Sequence, residues 1–232
     1  MNNSNESLIN WDSIFSYSAQ FNNSSPTKFA FIENFFKPDF YQKLYETFPS
    51  LETFTKINES DKSAFRRWWG GKKRDEILDP DSIDENLSDS WNIFYKYIHS
   101  SEFISNFKKF SNVSVDKTKH FVFFNMTKGG YQYPHIHNVG PSTLILIIYF
   151  NKNWPQGDPG GTYLSENEGE NIIFEPYVLE NSCLIFQDGP LAEHGVRVLE
   201  KDVQRKAIQI TLQGFRNNKW EIYPPKFEKI EL

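Results

Sequence analysis

The stretch 144–150, Leu-Ile-Leu-Ile-Ile-Tyr-Phe, is apolar at every position. Side chains of a β-strand alternate between two faces, so such a run implies burial on both. It is much too short to cross a bilayer as a helix, which takes about 20 residues. Other apolar runs of strand length surround it: Phe121-Val122-Phe123-Phe124, Ile172-Ile173-Phe174 and Cys183-Leu184-Ile185-Phe186. The stretch 207–213 alternates instead, with Ile208, Ile210 and Leu212 on one face and Gln209, Thr211 and Gln213 on the other. Gly157-Asp158-Pro159-Gly160-Gly161 and Asp188-Gly189-Pro190 punctuate these runs as turns. Short strands divided by such turns read as a sandwich or jelly roll.

Upstream the pattern is mainly helical. After a short strand at 28–32, Lys37-Pro38-Asp39 opens a helix, because proline is tolerated in a first turn. Phe40, Leu44 and Phe48 recur at helical spacing, and Pro49 helps to stop it. A second helical region spans 88–110, with Trp91, Phe94, Tyr95 and Ile98 on one face and a break expected at Ser100-Ser101. The expected architecture is mainly β with α. A single domain over 1–232 carries mainly helical residues 1–115 packed outside a jelly-roll core at 116–232. Two separate domains, one helical and one β, are the alternative.

With 232 residues, 38% hydrophobic and 17% aromatic, the chain builds a large core without needing disulfides or a structural metal. The single cysteine, Cys183, excludes an intramolecular disulfide framework and reads as a buried strand residue in a reducing compartment. The polar, Asn-rich start carries no secretory pattern. A net charge of −5 offers no general attraction to nucleic acid or an anionic membrane. The expectation is a soluble, cytoplasmic protein with neither as a partner. One local exception is Arg66-Arg67-Trp68-Trp69-Gly70-Gly71-Lys72-Lys73-Arg74. It reads as a solvated loop beside an acidic stretch, or alternatively as an aromatic, basic lid over an anionic substrate.

Of five histidines, two stand in Tyr133-Pro134-His135-Ile136-His137-Asn138. Residues i and i+2 of a strand share a face, so both imidazoles can reach one metal. His194, in Ala192-Glu193-His194-Gly195-Val196, follows the strand ending at Phe186 by a short turn and is the candidate third ligand. His99, among aromatic residues of a helix, and His120, before a strand, read as structural. Arg205 opens the alternating strand, and a guanidinium entering a barrel is costly unless it meets an anion. It can hold a carboxylate through two parallel hydrogen bonds.

Residues 121–215 resemble the catalytic core of the prolyl 4-hydroxylase-like 2-oxoglutarate and iron(II)-dependent oxygenases. The pieces stand in the family's order: Tyr149-Phe150-Asn151-Lys152-Asn153-Trp154 followed by Gly160-Gly161, then Leu184-Ile185-Phe186, His194-Gly195-Val196 and Arg205-Lys206-Ala207-Ile208. The opening strand and helix at 29–48 are similar as well. The resemblance implies a double-stranded β-helix holding Fe(II) on His135, His137 and His194, with no catalytic side chain beyond these ligands. It implies 2-oxoglutarate as cosubstrate, its distal carboxylate on Arg205 and Tyr149, with Asn125 touching it from the preceding strand. It further implies dioxygen and a small-molecule or peptide substrate whose C–H bond is hydroxylated, with release of succinate and carbon dioxide.

The chain departs from the family pattern at His137, where an aspartate is usual. Three neutral imidazoles leave the metal at +2, which a dianionic cosubstrate neutralises. Two other readings stay open. Gly129 and the His-x-His that follows resemble the start of a cupin motif, although no glutamate follows in 138–143. Such a three-histidine enzyme would not use 2-oxoglutarate. The third reading is a jelly-roll binding module without catalysis. Trp154 and the loop 157–161 either border a substrate channel or serve packing and turn formation, the second being favoured.

Overall fold

The computed structural model describes residues 8–72, 76–155 and 158–215. The chain enters through two short helices, α1 (Trp11–Ser16) and α2 (Ser18–Asn23), and a strand, β1 (Phe29–Glu33). Helix α3 (Pro38–Glu46) begins with proline at its first turn and buries Tyr41 and Leu44. A hairpin follows, β2 (Thr55–Glu59) and β3 (Lys62–Trp68). Helices α4 (Asp89–Ile98) and α5 (Ser101–Ser111) meet where the sequence predicts a break. There the Ser100 hydroxyl caps α5 by accepting from Phe103 N at 3.2 Å. Among the described residues no helix is long and apolar enough to cross a membrane.

The remaining strands are β4 (Lys117–Met126), β5 (Tyr131–His135), β6 (Thr143–Phe150), β7 (Tyr163–Glu166), β8 (Asn171–Phe174), β9 (Glu180–Gln187), β10 (Glu193–Val196) and β11 (Arg205–Gln213). They pair antiparallel in the order β1-β9-β6-β11-β4 and β5-β10-β7-β8. The chain passes between these two groups at nearly every connection, which makes the core a jelly roll. Strand β3 joins them at one side, pairing Phe65–Trp68 with β4 and Lys62 and Ser63 with β5.

Strand β6 accounts for the uninterrupted apolar run. Leu144, Leu146, Ile148 and Phe150 pack outward with Trp91, Phe94, Phe103 and Phe107 of the helices. Ile145, Ile147 and Tyr149 pack inward with Leu184, Phe186 and Ala207. Each fully buried aliphatic side chain contributes about 1.5–3 kcal/mol, so both faces of this one strand hold the layers together.

The stretch 66–74 does not form a solvated loop over its first part. Arg66, Arg67 and Trp68 belong to β3, and Arg67 is buried in an ion pair with Asp84 at 2.6 Å. Asp84 also accepts from Gly70 N at 3.0 Å, so the turn after β3 is fixed by the same carboxylate. Trp69 stacks flat on Tyr95 of α4 with ring centroids 3.8 Å apart. Lys73 and Arg74 lie outside the described residues.

Candidate metal centre

The strand register brings the candidate ligands together. His135 closes β5 and is the direct cross-strand partner of His194 on β10. His137 follows two residues beyond His135. The ring centroids stand 4.3 Å apart for His135–His194 and 4.9 Å for each pair that includes His137. One nitrogen from each ring lies within 4.8 Å of the others. Two metal–nitrogen bonds of about 2.1 Å span at most about 4.2 Å, so a small closure of the rings suits a single ion. Among the described residues this group contains no carboxylate.

The rings of His135 and His194 are held from behind. Nδ1 of His135 faces Tyr133 O at 3.0 Å, and Nδ1 of His194 faces Ala192 O at 2.8 Å. A carbonyl can only accept, so Nδ1 of each carries the proton in the neutral ring and Nε2 presents its lone pair. Burial pushes the His194 pKa down to about 3, with the neighbouring His135 adding to the shift. Burial likewise pushes His135 down to about 4, against its hydrogen bond to Tyr133 O, and Arg66 and Lys62 lower it further. Both rings are therefore neutral near pH 7, the state that ligates. Phe186 covers one side of His194 at 4.8 Å.

Arg205 is 2% exposed and lies on the inner face at the start of β11. Its Nε donates to Gly160 O, its Nη2 donates to Thr162 Oγ1 at 2.9 Å, and its charge sits 5.3 Å from the Tyr149 ring centre. Among the described residues Arg205 makes no ion pair. Burial lowers its pKa from the ordinary value, yet a guanidinium keeps its proton in proteins. A buried, uncompensated cation of this kind calls for an anionic ligand. Tyr149 is fully buried, and its hydroxyl accepts from Thr162 N at 2.9 Å.

Asn125 does not join this group. It is the cross-strand partner of Lys206, whose ammonium lies over the Tyr45 and Phe48 rings on the helical side. Residues directly opposed across strands share a face, so Asn125 points away from Arg205. Its amide instead approaches Gln204 Oε1 at 3.5 Å. A one-residue difference along a strand reverses the face, so the register does not bring Asn125 to Arg205.

Two residues outside the sequence-based set bear on the site. Asp188 is buried and accepts from Val139 N and Gly140 N, each at 3.2 Å, which pins the turn after His137. The sequence showed it only as part of a turn. Arg66 is the partner of Phe124 on β4, its guanidinium lies 4.8 Å from that ring's centre, and its charge lowers the His135 pKa. His99 packs on Tyr95 at 4.8 Å, and His120 lies on β4 opposite Thr211; neither belongs to the cluster.

The loop after β6 is held by packing. A Cβ at Gly160 would come within 2.2 Å of Trp154, and Trp154 Nε1 donates to Asp158 O at 3.1 Å. Trp154 also lines a cavity of about 440 Å³ with Tyr131, Tyr133, Tyr163, Arg197 and Lys201. Neither the three histidines nor Arg205 lines that cavity.

The fold is similar to that of a prolyl-4-hydroxylase from Pseudomonas putida, at 11% identity over 85% of this chain and 98% of the other, TM-score 0.60. It is similar to a prolyl hydroxylase from Trichoplax adhaerens solved with a hypoxia inducible factor peptide fragment, at 16% identity over 88% of each chain, TM-score 0.61. HygX from Streptomyces hygroscopicus, solved with nickel, 2-oxoglutarate and hygromycin B, aligns over 90% of this chain and 89% of its own at 11% identity, TM-score 0.54. No family model matches the chain, and no curated protein matches it.

Proposed function

We propose that the protein is a non-haem iron(II) and 2-oxoglutarate-dependent dioxygenase that hydroxylates a C–H bond of a small-molecule or peptide substrate. The observation that carries this reading is the buried Arg205 without an acidic partner among the described residues, inside the same jelly roll as three converging histidines. The likeness to 2-oxoglutarate oxygenase folds supports it.

The donor set fits the metal: His135, His137 and His194 would hold it, two of them with Nδ1 engaged by backbone carbonyls. When bound, iron(II) supplies dioxygen activation coupled to decarboxylation of 2-oxoglutarate, giving succinate, carbon dioxide and a hydroxylated product. Arg205 would hold the distal carboxylate, already oriented by Gly160 and Thr162. Tyr149 retains its own hydroxyl proton for the same carboxylate, since its oxygen accepts from Thr162 N. Phe186 and the inner apolar residues would keep water from the reacting centre.

Among the described residues the cluster holds no acidic ligand, which favours one further reading, a cupin-like metal enzyme that does not use 2-oxoglutarate. Reconstitution with iron(II) under nitrogen, followed by 2-oxoglutarate and air, separates the two. Iron-dependent succinate is expected, and Arg205→Ala should weaken 2-oxoglutarate binding by more than about tenfold, the loss of a charge-assisted pair. Tight iron binding without 2-oxoglutarate binding would overturn the proposal in favour of the cupin-like enzyme. Neither metal nor 2-oxoglutarate binding would leave a binding module.

A further inference from the structure

The register of β3 places a second guanidinium on the inner face. Arg66 is the partner of Phe124, Phe124 of Ala207, and Ala207 of Tyr149. Opposed residues across antiparallel strands share a face, so Arg66 stands in the same row as Tyr149. Its guanidinium lies 4.8 Å from the Phe124 ring centre. Arg67 goes to the other face, over Phe123 at 5.7 Å and onto Asp84. Arg205 pairs with Met126 and so belongs to the neighbouring row of the same face. Arg66 and Arg205 lie on the strands either side of β4, so about 10 Å of strand spacing and about 7 Å along the strands separate their Cα atoms, a span that two arginine side chains and a five-carbon dicarboxylate can bridge.

We infer that Arg66 is a second anion-holding residue of this centre, gripping the carboxylate of 2-oxoglutarate beside the keto group while Arg205 grips the distal one. The inference rests on the oxygenase reading and refines it. Strand β3 pairs through Lys62 and Ser63 with β5, the strand that His135 closes, and through Phe65–Trp68 with β4, so Arg66 lies on the strand that joins the metal side to the Tyr149 side. The chemistry of the ligand set agrees. An aspartate at 137 would compete with a bound carboxylate for a nearby guanidinium, whereas His137 leaves no such competitor among the clustered ligands. Three imidazole ligands also add no negative charge to repel that carboxylate.

The test uses Mn(II)-loaded protein under nitrogen and calorimetric dissociation constants for two probes. One is 2-oxoglutarate; the other is levulinate, in which a methyl group replaces the carboxylate next to the keto carbon. Arg66→Gln should weaken 2-oxoglutarate roughly ten- to a hundredfold, the range of a charge-assisted hydrogen bond, and leave levulinate unchanged. Arg205→Gln should weaken both, and Arg66→Lys should recover part of the loss. Metal affinity and thermal midpoint of Arg66→Gln serve as controls for folding. Unchanged 2-oxoglutarate affinity in Arg66→Gln, or equal losses for both probes, would overturn the role of Arg66 alone. If the wild-type protein binds no 2-oxoglutarate, the oxygenase reading falls and this inference with it.

Discussion

His194 combines two properties that a neutral ligand needs: burial disfavours its charged form, and Ala192 O fixes the proton on Nδ1. His135 is arranged the same way through Tyr133 O. His137 stands just past the strand and depends on the turn that Asp188 holds. Two substitutions separate these roles. Replacing His194 by alanine should abolish specific iron(II) binding, measured by titration under nitrogen. His137→Asp should retain the metal, and retained or increased succinate formation would place His137 at the usual carboxylate position. Loss of metal binding by His137→Asp would instead show that this side chain cannot occupy that position.

The elements around Arg205 are fixed by two glycines at the entry to β7. A Cβ at Gly161 would stand 2.2 Å from Pro176 Cγ and 2.5 Å from Pro176 O, and the backbone oxygen cannot rotate away. Relief requires the chain to shift at Thr162, which contacts both Tyr149 and Arg205. Gly161→Ala should therefore cost about 2 kcal/mol of stability, as overpacking does, and weaken 2-oxoglutarate as well. Chemical denaturation and calorimetry check the two effects; a stable variant with unchanged affinity would contradict this account. The same dependence on register decides which residues meet. Residues 144–150 announced a doubly covered strand, and Ser100-Ser101 announced a helix break, because burial and capping are written locally. The hairpin β2–β3 was not legible: β2 is largely exposed and β3 carries charged residues among its buried ones, so neither shows an apolar period.

Across the whole molecule, acid sensitivity should follow buried histidines. Burial lowers the His99 pKa from 6.5 to about 4, opposed by the nearby Asp79. The unfolded chain takes up this proton near pH 6.5 and the folded chain only near 4, so the unfolded state binds more protons in between. The stabilisation is present above about pH 6.5 and lost as the pH falls toward 4. Between pH 7 and 5, metal-free wild-type protein should lose more stability than His99→Phe, by about 1 kcal/mol once solvent screening of this half-buried ring is allowed for, measured by urea unfolding. Equal losses would mean that His99 is already protonated or solvated in the fold. The sequence by itself determined helices in the first half and short buried strands in the second that read as a sandwich or jelly roll, because hydrophobic periodicity acts over a few residues; the family resemblance narrowed this to the jelly roll. Only the tertiary structure decided that His194 stands opposite His135, that Arg66 turns inward while Arg67 pairs with Asp84, and that Asn125 faces the helices. Each of those outcomes depends on which residue a distant strand sets opposite it, and a shift of one position would reverse the face.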